Sequence, residues 1–415
     1  MKAGLAAAVM ALSAPGTAFA QQSCGSDSPE LGLPEGFCAV VVVEGTGRPR
    51  HVAVRRNGDV YAALRGGREG GGGILALRDT TDDGRADIVE RFGDERGGTG
   101  VALHRGFLYF GRNDAVLRYR LTPSELLPSG EPEAVVSGLP ADGSHAAKSI
   151  AINGDGSLFV NIGSPSNSCQ EEDRGTRSPG IDPCTELANR AGIWRFDANR
   201  LDQTLEDGER WATGLRNTVA LAVDPSDGQP YGVVHGRDQL HQSWGFSEES
   251  SAETPSEEFH RIERGKRYSW PYCYHDSTVG RLVTAPEYGG DGASSRRCEG
   301  LTEPLIAFPA HWAPNALVFY EGHAFPDPYR DGVFIAFHGS WNRAPLPQGG
   351  YNVVFAPFED GQPTGTWEVF ADGFAGDDPG PRSALHRPTG LAVGPDGSLY
   401  ITDDRGGTIW RVFRP

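Results

Sequence analysis

Residues 386–403, HRPTGLAVGPDGSLYITD, contain the pattern from which the architecture of the whole chain is predicted. The segment combines a short apolar strand, an Asp-Gly turn at residues 396–397 and a second strand that ends on a polar residue. A third strand carrying Trp410 follows after a glycine-rich turn. Alternation of apolar residues at period two, with Asp-Gly turns between the runs, is typical of antiparallel strands joined by hairpins.

Five earlier segments repeat this order of strand, turn and strand. The copies begin near residues 51, 100, 149, 219 and 316. Spacings of roughly 50 residues early in the chain, and longer ones later, are typical of propeller blades. A β-sandwich would also contain short strands, but it would not repeat the same order so literally. The sequence therefore predicts an all-β fold, a six-bladed β-propeller.

The first 20 residues have the features of a cleaved secretory signal. Lys2 is followed by an apolar run from Leu5 to Leu12, and the segment ends with Ala-Phe-Ala at residues 18–20. An ordinary N-terminal helix is the alternative, and the run is too short to cross a bilayer. We expect residues 1–20 to be a signal peptide and residues 21–415 to form a single propeller domain, periplasmic or secreted, with no membrane span.

The cysteines fit this location. The six of them form three pairs that are close in sequence: Cys24 with Cys38, Cys169 with Cys184, and Cys273 with Cys298. An even number in an oxidising compartment favours disulfides, although about fifteen connectivities are open to six cysteines and the sequence does not select one. We expect sequence neighbours to pair. No spacing predicts a covalent haem or an obvious zinc site.

Net charge argues against one class of partner, and loop length indicates where the active site lies. A net charge of −17 argues against nucleic acid as a partner, because phosphates would require a basic patch. Three long loops, at residues 165–187, 235–259 and 268–304, are polar and contain proline. Long ordered loops are usually functional, so these disulfide-stapled loops should cover the active-site face.

Polar residues stand just before the first strand of several repeats, and in a propeller these positions share one face near the axis. They are Ser144, His145 and Lys148, then Arg216 and Asn217, His311 and Trp312, and His386 and Arg387. Each alone has an ordinary explanation as a turn residue or a rim arginine. Together they would form one pocket with a histidine base and two guanidinium groups, which suits a planar anion of several charges.

Four motifs in this order resemble those of a known family. They are GSH (residues 143–145), GLRN (214–217), FHGSWNR (337–343) and HRPTG (386–390). The chain resembles the soluble pyrroloquinoline quinone (PQQ)-dependent glucose/sorbosone dehydrogenases and the related pyranose dehydrogenases over nearly its whole mature length. It is more similar to the sorbosone and pyranose branch, since HGSWNR replaces a lysine-bearing segment of the glucose branch.

The resemblance implies a role for individual residues. His145 would be the general base that takes the proton of a sugar hydroxyl while hydride passes to C5 of PQQ, a task that suits a neutral imidazole. The implied cofactor-binding residues are Arg216, Asn217, His311, His338, Trp341, Arg343 and Arg387. Trp341 and Trp312 are candidates to stack on the sugar or the quinone, and packing inside a blade is the alternative.

The family also carries calcium on the quinone. The resemblance implies backbone carbonyls of Gly236 and Arg237 as its ligands, with calcium acting as a Lewis acid. Arg237 replaces a proline of the glucose branch, which backbone ligation tolerates, and Asp238 could also take part. Ser144 replaces the acidic residue that precedes the catalytic histidine in that branch, so the resemblance does not imply glucose itself as substrate.

A second candidate calcium site lies in a twelve-residue loop at residues 79–90, with glycine at its sixth position. Its oxygen donors would be Asp79, Thr81, Asp83, Asp87 and Glu90. The flanking residues predict strands rather than the two helices of an EF-hand. A plain Asp-Gly hairpin turn is the alternative.

These expectations combine in an exported PQQ- and Ca²⁺-dependent sugar dehydrogenase that oxidises an aldose-like alcohol or aldehyde. Its electrons would pass to an external acceptor such as a cytochrome or quinone. One alternative is a non-catalytic propeller that binds a glycan or a protein on the same face. Another is a hydrolytic propeller such as a calcium lactonase, which would need carboxylates at the axis where the repeats supply histidines and arginines.

Overall fold

The computed structural model describes Cys24, residues 31–67 and residues 70–415. The predicted signal at residues 1–20 lies outside the described residues. Within them the chain consists mainly of antiparallel strands. In this part of the chain, no helix has both the length and the apolar character needed to cross a membrane.

The strands are grouped in blades in chain order. They are β1 (Cys38–Val43); β2 (Pro49–Val54), β3 (Val60–Leu64), β4 (Gly73–Arg78) and β5 (Ile88–Phe92); β6 (Gly98–His104), β7 (Phe107–Arg112), β8 (Val116–Arg120) and β9 (Glu133–Val136); β10 (Ile150–Ile152), β11 (Ser157–Ile162), β12 (Gly192–Asp197) and β13 (Glu209–Thr213); β14 (Ala220–Val223), β15 (Pro230–Val234), β16 (Glu257–Arg261), β17 (Cys273–Asp276), β18 (Arg281–Thr284) and β19 (Ile306–Phe308); β20 (Pro314–Phe319), β21 (Gly332–Phe337), β22 (Asn352–Glu359), β23 (Gln362–Pro363) and β24 (Glu368–Ala371); and β25 (Pro388–Val393), β26 (Leu399–Asp403) and β27 (Ile409–Phe413).

Helices are short in the described residues. The α-helices are α1 (Leu240–Trp244) and α2 (Glu248–Glu253), both in the long loop after β15. The 3₁₀ turns are Thr185–Ala188, Leu205–Asp207, Pro286–Tyr288 and Asp327–Tyr329. A hairpin of β17 and β18 interrupts the fourth blade between β16 and β19, which explains why the sequence repeat blurs there.

The blades form a closed ring. The first strand of each blade contacts the first strand of the next, in the order β2, β6, β10, β14, β20 and β25, and β25 contacts β2 again. The sixth blade is completed by β1, which pairs with β27 so that Cys38 lies opposite Phe413. The six-bladed β-propeller predicted from the sequence is confirmed.

Small residues at the axis make this ring possible. A Cβ on Gly390 would lie 2.2 Å from the backbone oxygen of Arg50, so glycine is required where β25 approaches β2. The second strand of a blade is buried between the neighbouring blades. In β3, for example, all five residues are buried. Each fully buried Val or Leu side chain of this kind contributes about 1.5–3 kcal/mol. The outermost β5 is mostly exposed.

The expected disulfide pairs are all formed: Cys24–Cys38, Cys169–Cys184 and Cys273–Cys298. The second and third staple neighbouring loops, since the Tyr288 hydroxyl donates to the backbone oxygen of Cys169 (3.1 Å). The first does not, because Cys38 begins β1 at the end where β27 finishes. The first disulfide therefore lies at one end of the sixth blade, and β25 begins at the other end.

Candidate functional site

One face of the ring collects polar side chains because of the hairpin geometry. In each blade the second strand is antiparallel to the first, so it ends where the first begins. Residues just before the first strands therefore meet residues just after the second strands near the axis. The former include His145, Arg216, His311 and Arg387, and the latter include Ser164, His235, His338 and Asp404.

His145 is held with one ring nitrogen free. Its Nδ1 lies 2.8 Å from the carbonyl oxygen of Ser164 and 3.0 Å from the Ser164 hydroxyl. A carbonyl oxygen only accepts, so Nδ1 carries the hydrogen and Nε2 has the lone pair. Nε2 has no hydrogen-bond partner within the described residues. Burial, together with the positive charge of Arg216, holds the pKa of His145 well below 6.5, so the imidazole is neutral.

Gly163 leaves space for this imidazole. A Cβ at position 163 would lie 2.6 Å from the Cβ of His145 and 3.1 Å from Oδ1 of Asn217. Asn217 also accepts a hydrogen bond at Oδ1 from Asn161 (3.3 Å), and its backbone oxygen accepts from the N–H of His235 (2.9 Å). The third and fourth blades are thus joined directly beside the candidate base.

Arg216 is buried and its guanidinium is surrounded by acceptors of the chain itself. It donates to the backbone oxygen of Asn167 (3.1 Å), to Oδ1 of Asn167 (2.9 Å), to Oδ2 of Asp238 (3.2 Å) and to the backbone oxygen of Gly236 (2.9 Å). Burial opposes the charge on Asp238, but Arg216, His311 and Arg174 lower its pKa to about 2. In this arrangement Arg216 clamps two loops together.

A second cluster joins the fifth, sixth and first blades. Nε2 of His338 donates to Asp404 (2.6 Å), whose other oxygen accepts from Arg50 (2.7 Å). Arg387 donates to the backbone oxygens of His338 (2.8 Å) and Gly339 (2.6 Å). Although burial opposes ionisation, His338 and Arg50 hold the pKa of Asp404 well below its ordinary value. Nε of Arg50 is buried and has no partner among the described residues.

Two further buried histidines face the axis. His51 donates from Nε2 to the backbone oxygen of Asn315 (2.7 Å), and His235 donates from Nε2 to that of Pro314 (2.7 Å). Burial lowers the pKa of each to about 4. Both are neutral near pH 7, so these side chains add polar atoms at the axis without adding charge.

Sequence reasoning missed Arg50, His51, His235 and Asp404. Arg50 and His51 stand at the start of the first repeat, the position equivalent to that of Arg387 in the last. His235 and Asp404 follow second strands, a position equivalent to that of Ser164 and His338. The signal was therefore available in the repeats, because both ends of each hairpin reach the same face.

The remaining predicted cofactor residues have different surroundings, and of the three only Trp341 is exposed. Nε2 of His311 donates to the backbone oxygen of Ser251 (2.8 Å), and its Nδ1 accepts from Asn342 (3.3 Å). The Trp341 side chain is on the surface, and the residue is 53% exposed. Arg343 donates to the backbone oxygens of Ala252 and Ala310 (2.9 Å each), so it holds two loops.

Trp312 packs edge-on against Phe337 and Trp367, with ring centroids 5.4 and 5.5 Å apart. This is the packing contact that the sequence left open as the alternative to stacking on a ligand. Trp312 therefore packs within the fifth blade, and stacking on a ligand stays a prediction.

The proposed calcium carbonyls are not both free. The backbone oxygen of Gly236 accepts the hydrogen bond from Arg216, and a cation bound there would face that guanidinium across a single oxygen. The side chain of Arg237 points to Glu287, with which it forms a buried ion pair of 2.6 Å. Among the described residues, no three His, Cys, Asp or Glu side chains come together as a group that could hold a metal.

The loop at residues 79–90 connects two strands, β4 and β5, as its flanking residues predicted. Oδ1 of Asp79 accepts from the N–H of Thr81 (3.0 Å), and Oδ2 accepts from the N–H of Gly84 (2.7 Å). Asp87 accepts from the N–H and hydroxyl of Thr80 (2.6 and 2.5 Å). These contacts are those of a hairpin turn, and calcium binding by the five predicted donors of this loop stays a prediction.

The arrangement supports two kinds of chemistry side by side. The neutral imidazole of His145, with Nε2 free, can accept a proton. Arg387 and the unpartnered Nε of Arg50 can donate to an anion, and the carboxylate of Asp404 fixes Arg50 and His338 beside them. This donor set fits a planar cofactor that carries several carboxylates.

Comparisons with known proteins show the family and the fold. A family model described as TrAA12-like matches residues 31–414. A solved structure of the carbohydrate-active enzyme family AA12 from Trichoderma reesei has a TM-score of 0.77 at 19% identity, covering 95% of this chain and 100% of that one. The holo PQQ domain of pyranose dehydrogenase from Coprinopsis cinerea has a TM-score of 0.75 at 19% identity, covering 94% and 99%. At these identities the likeness shows the fold.

Curated sequences add two relatives. The PQQ-dependent pyranose dehydrogenase of Coprinopsis cinerea is 25% identical over 56% of this chain and 36% of its own length. An uncharacterized protein of Borreliella burgdorferi is 29% identical over 49% of this chain and 48% of its own. The chain thus aligns with half or less of each curated relative.

Proposed function

This chain belongs to the TrAA12-like family, and we propose that it is a PQQ-dependent sugar dehydrogenase. The resemblance of its motifs to the soluble PQQ-dependent sugar dehydrogenases is thereby confirmed at the level of the family. The substrate in this proposal is an aldose-like sugar of the pyranose or sorbosone type, oxidised at a hydroxyl or an aldehyde. The three disulfides support an exported protein, in the periplasm or outside the cell.

The hydrogen bond from His145 to the carbonyl of Ser164 carries this proposal. It fixes the tautomer in which Nε2 is the proton acceptor, and the low pKa keeps that nitrogen free of a proton at neutral pH. His145 takes the proton of the substrate hydroxyl at Nε2. The negative charge of Asp238 favours the imidazolium that results, while Arg216 opposes it and so promotes later release of the proton.

The cofactor would be held chiefly by Arg387, His338 and Arg50, with Asn217 on the opposite side of the axis. PQQ, when bound, supplies the two-electron acceptor for the hydride of the substrate carbon. Asp404 orients Arg50 and His338 toward it. Arg216 supports this site indirectly, because its hydrogen bonds are used to position the loops of Asn167 and Asp238.

The proposal includes a bound calcium ion, on one condition that concerns Arg216. The positive charge of the Arg216 guanidinium, which donates to the backbone oxygen of Gly236, must move away before that oxygen, with that of Arg237, binds the ion tightly. A cofactor carboxylate that drew the guanidinium away would meet this condition. The proposed external electron acceptor is a cytochrome or a quinone.

The test separates cofactor uptake from turnover. The purified apo-protein is titrated with PQQ, with and without Ca²⁺, and tryptophan fluorescence is followed; dye reduction is then measured with aldoses, sorbosone and oligosaccharides. We expect uptake at micromolar PQQ, and its absence would reject the enzyme in favour of a binding propeller. His145→Ala should retain uptake and lose turnover by a factor of about 10²–10⁴. His323→Ala, an exposed histidine on the opposite face, is the matched control.

A further inference from the structure

An exposed group of arginines borders the site although the chain has a net charge of −17. It consists of Arg48, Arg65, Arg382 and Arg405, here called the arginine face. They belong to the first and sixth blades, at the ends where the candidate site lies. Within the described residues, none of the four forms an ion pair with a carboxylate.

Contacts to backbone oxygens join these arginines in two pairs. The N–H of Arg65 donates to the backbone oxygen of Arg48 (2.9 Å), and Nη2 of Arg405 donates to that of Arg382 (2.8 Å). The N–H groups of Arg387 and Arg405 both donate to Oδ1 of Asp403 (2.7 and 2.8 Å). Arg405 of the arginine face therefore lies next to Arg387 of the candidate site.

Neighbouring arginines lower one another's pKa by repulsion between their positive charges. Partial burial lowers the pKa of Arg65, and the neighbouring Arg50 and Arg48 lower it further, while Asp404 raises it. Burial also lowers the pKa of Arg387; Tyr351 and Asp404 raise it, and Arg405 and Arg50 lower it. A negatively charged surface placed over the group would relieve this repulsion.

Two carboxylates that contact arginines beside the site are hidden. The Asp403 side chain is 0% exposed and bound to His386, and the Asp404 side chain is 7% exposed and bound to Arg50 and His338. Asp377 and Asp378 are exposed in the preceding loop, but neither forms an ion pair with these arginines. Four exposed arginines, none of them in an ion pair among the described residues, therefore stand beside the site, against the exposed carboxylates of Asp377 and Asp378 on one side and Glu95 on the other.

An apolar residue lies within the same surface. Leu385 is 63% exposed, between Arg382 and Arg387 in sequence. Arginines around an exposed apolar side chain are typical of protein interfaces, whereas a sugar would be recognised by paired hydrogen-bonding groups. This combination favours a protein as the occupant.

We propose that an acidic electron-accepting protein docks on the arginine face. The inference rests on the proposed dehydrogenase function. Oxidation of the sugar carbon releases two electrons and two protons; the protons go to water, and the electrons leave one at a time to two molecules of a one-electron acceptor. Docking beside Arg387 places that acceptor next to the site in which the electrons are held.

Binding to the apo-protein tests the surface without turnover. The probes are cytochrome c, which is basic, and the same protein with succinylated lysines, which is acidic. We expect calorimetry at low ionic strength to show tighter binding of the acidic form, weakening as salt is added. Arg65→Gln and Arg405→Gln should each weaken it about two- to fivefold. Arg56→Gln, an exposed arginine on the opposite face, should change nothing.

A second arm uses the PQQ-loaded enzyme with a neutral benzoquinone and the acidic cytochrome. Arg65→Gln, Arg405→Gln and Leu385→Ser should slow reduction of the cytochrome and leave reduction of the quinone unchanged. Tighter binding of the basic cytochrome, or equal effects of Arg56→Gln and Arg65→Gln, would overturn the docking surface. Failure to reduce the quinone would instead reject the dehydrogenase function, while the calorimetry would still decide whether the face binds an acidic protein.

Discussion

Nδ1 of His145 lies 2.8 Å from the carbonyl oxygen of Ser164, and this contact leaves Nε2 as the nitrogen that accepts a proton. The pH dependence of catalysis should show that this nitrogen is free of a proton at neutral pH. Because burial and Arg216 hold the pKa of His145 well below 6.5, kcat/KM should stay level as the pH falls from 8 to below 6. An acid limb with its midpoint near 6.5 would show that His145 is solvated like a free imidazole, or is not the base.

Gly163 should be required for the position of His145. Gly163→Ala places a Cβ 2.6 Å from the Cβ of His145, so the imidazole must move. We expect kcat to fall about 10²-fold, because displacements near 1 Å have effects of that size. Gly154→Ala is the matched control, since nothing lies within 4 Å of the Cβ it would add. Similar rates for the two variants would mean that the site tolerates the shift.

Asp404 should contribute to stability as well as to cofactor binding. Asp404→Asn leaves Arg50 buried without its carboxylate, and losing one member of a buried pair costs about 3–5 kcal/mol. Urea unfolding should show a loss of that order together with weaker PQQ uptake. Asp378→Asn, which removes an exposed charge without an ion pair, should shift the unfolding midpoint little. Unchanged stability of Asp404→Asn would indicate that Arg50 and His338 find new partners.

Buried histidines should make the protein sensitive to mild acid. The pKa of His51 and of His235 is about 4 in the folded protein, against 6.5 when exposed. Between these values the unfolded chain binds a proton that the folded chain does not, so the unfolding free energy falls as the pH is lowered from 6.5 to 4. Each histidine should contribute a loss of about 3 kcal/mol across this window.

Replacing each histidine separately measures its contribution to this acid sensitivity. His51→Gln and His235→Gln keep a donor for the carbonyls of Asn315 and Pro314 but cannot titrate. Chemical unfolding at pH 7 and at pH 4.5 should show a smaller difference for each variant than for the unmodified protein. His323→Gln is the control at an exposed site. Parallel pH curves for all the proteins would contradict the assignment.

Calcium should bind poorly to the apo-protein at the carbonyl of Gly236. The guanidinium of Arg216 uses that oxygen, so 1 mM Ca²⁺, roughly the range of weak extracellular sites, should raise Tm measurably only after PQQ has been added. The Asp79→Asn variant is used throughout, so that the hairpin loop cannot supply a separate calcium effect. A Tm increase of equal size with and without PQQ would show that Arg216 does not compete with the ion.

The fold was predictable because each blade is a local hairpin unit whose turns and alternation lie within a few residues. His145 and Arg387 were also predictable, since they precede strands that the repeat identifies. The environment of Arg216 was not, because its acceptors come from Asn167 and Asp238 in long loops of different length. No periodic pattern encodes contacts between such loops, and the same holds for the hydrogen bond that occupies Gly236.

The pairing of β1 with β27 has a consequence for the order in which the molecule is made. Synthesis produces β1, with the sequence CAVVVV, before any of the blades, and produces its partner last. A strand so rich in valine has high β-propensity and carries unpaired backbone groups until the sixth blade exists. The newly made chain must therefore keep β1 away from other chains. Once the final hairpin has formed, β27 pairs with β1 and the risk of aggregation through this strand ends.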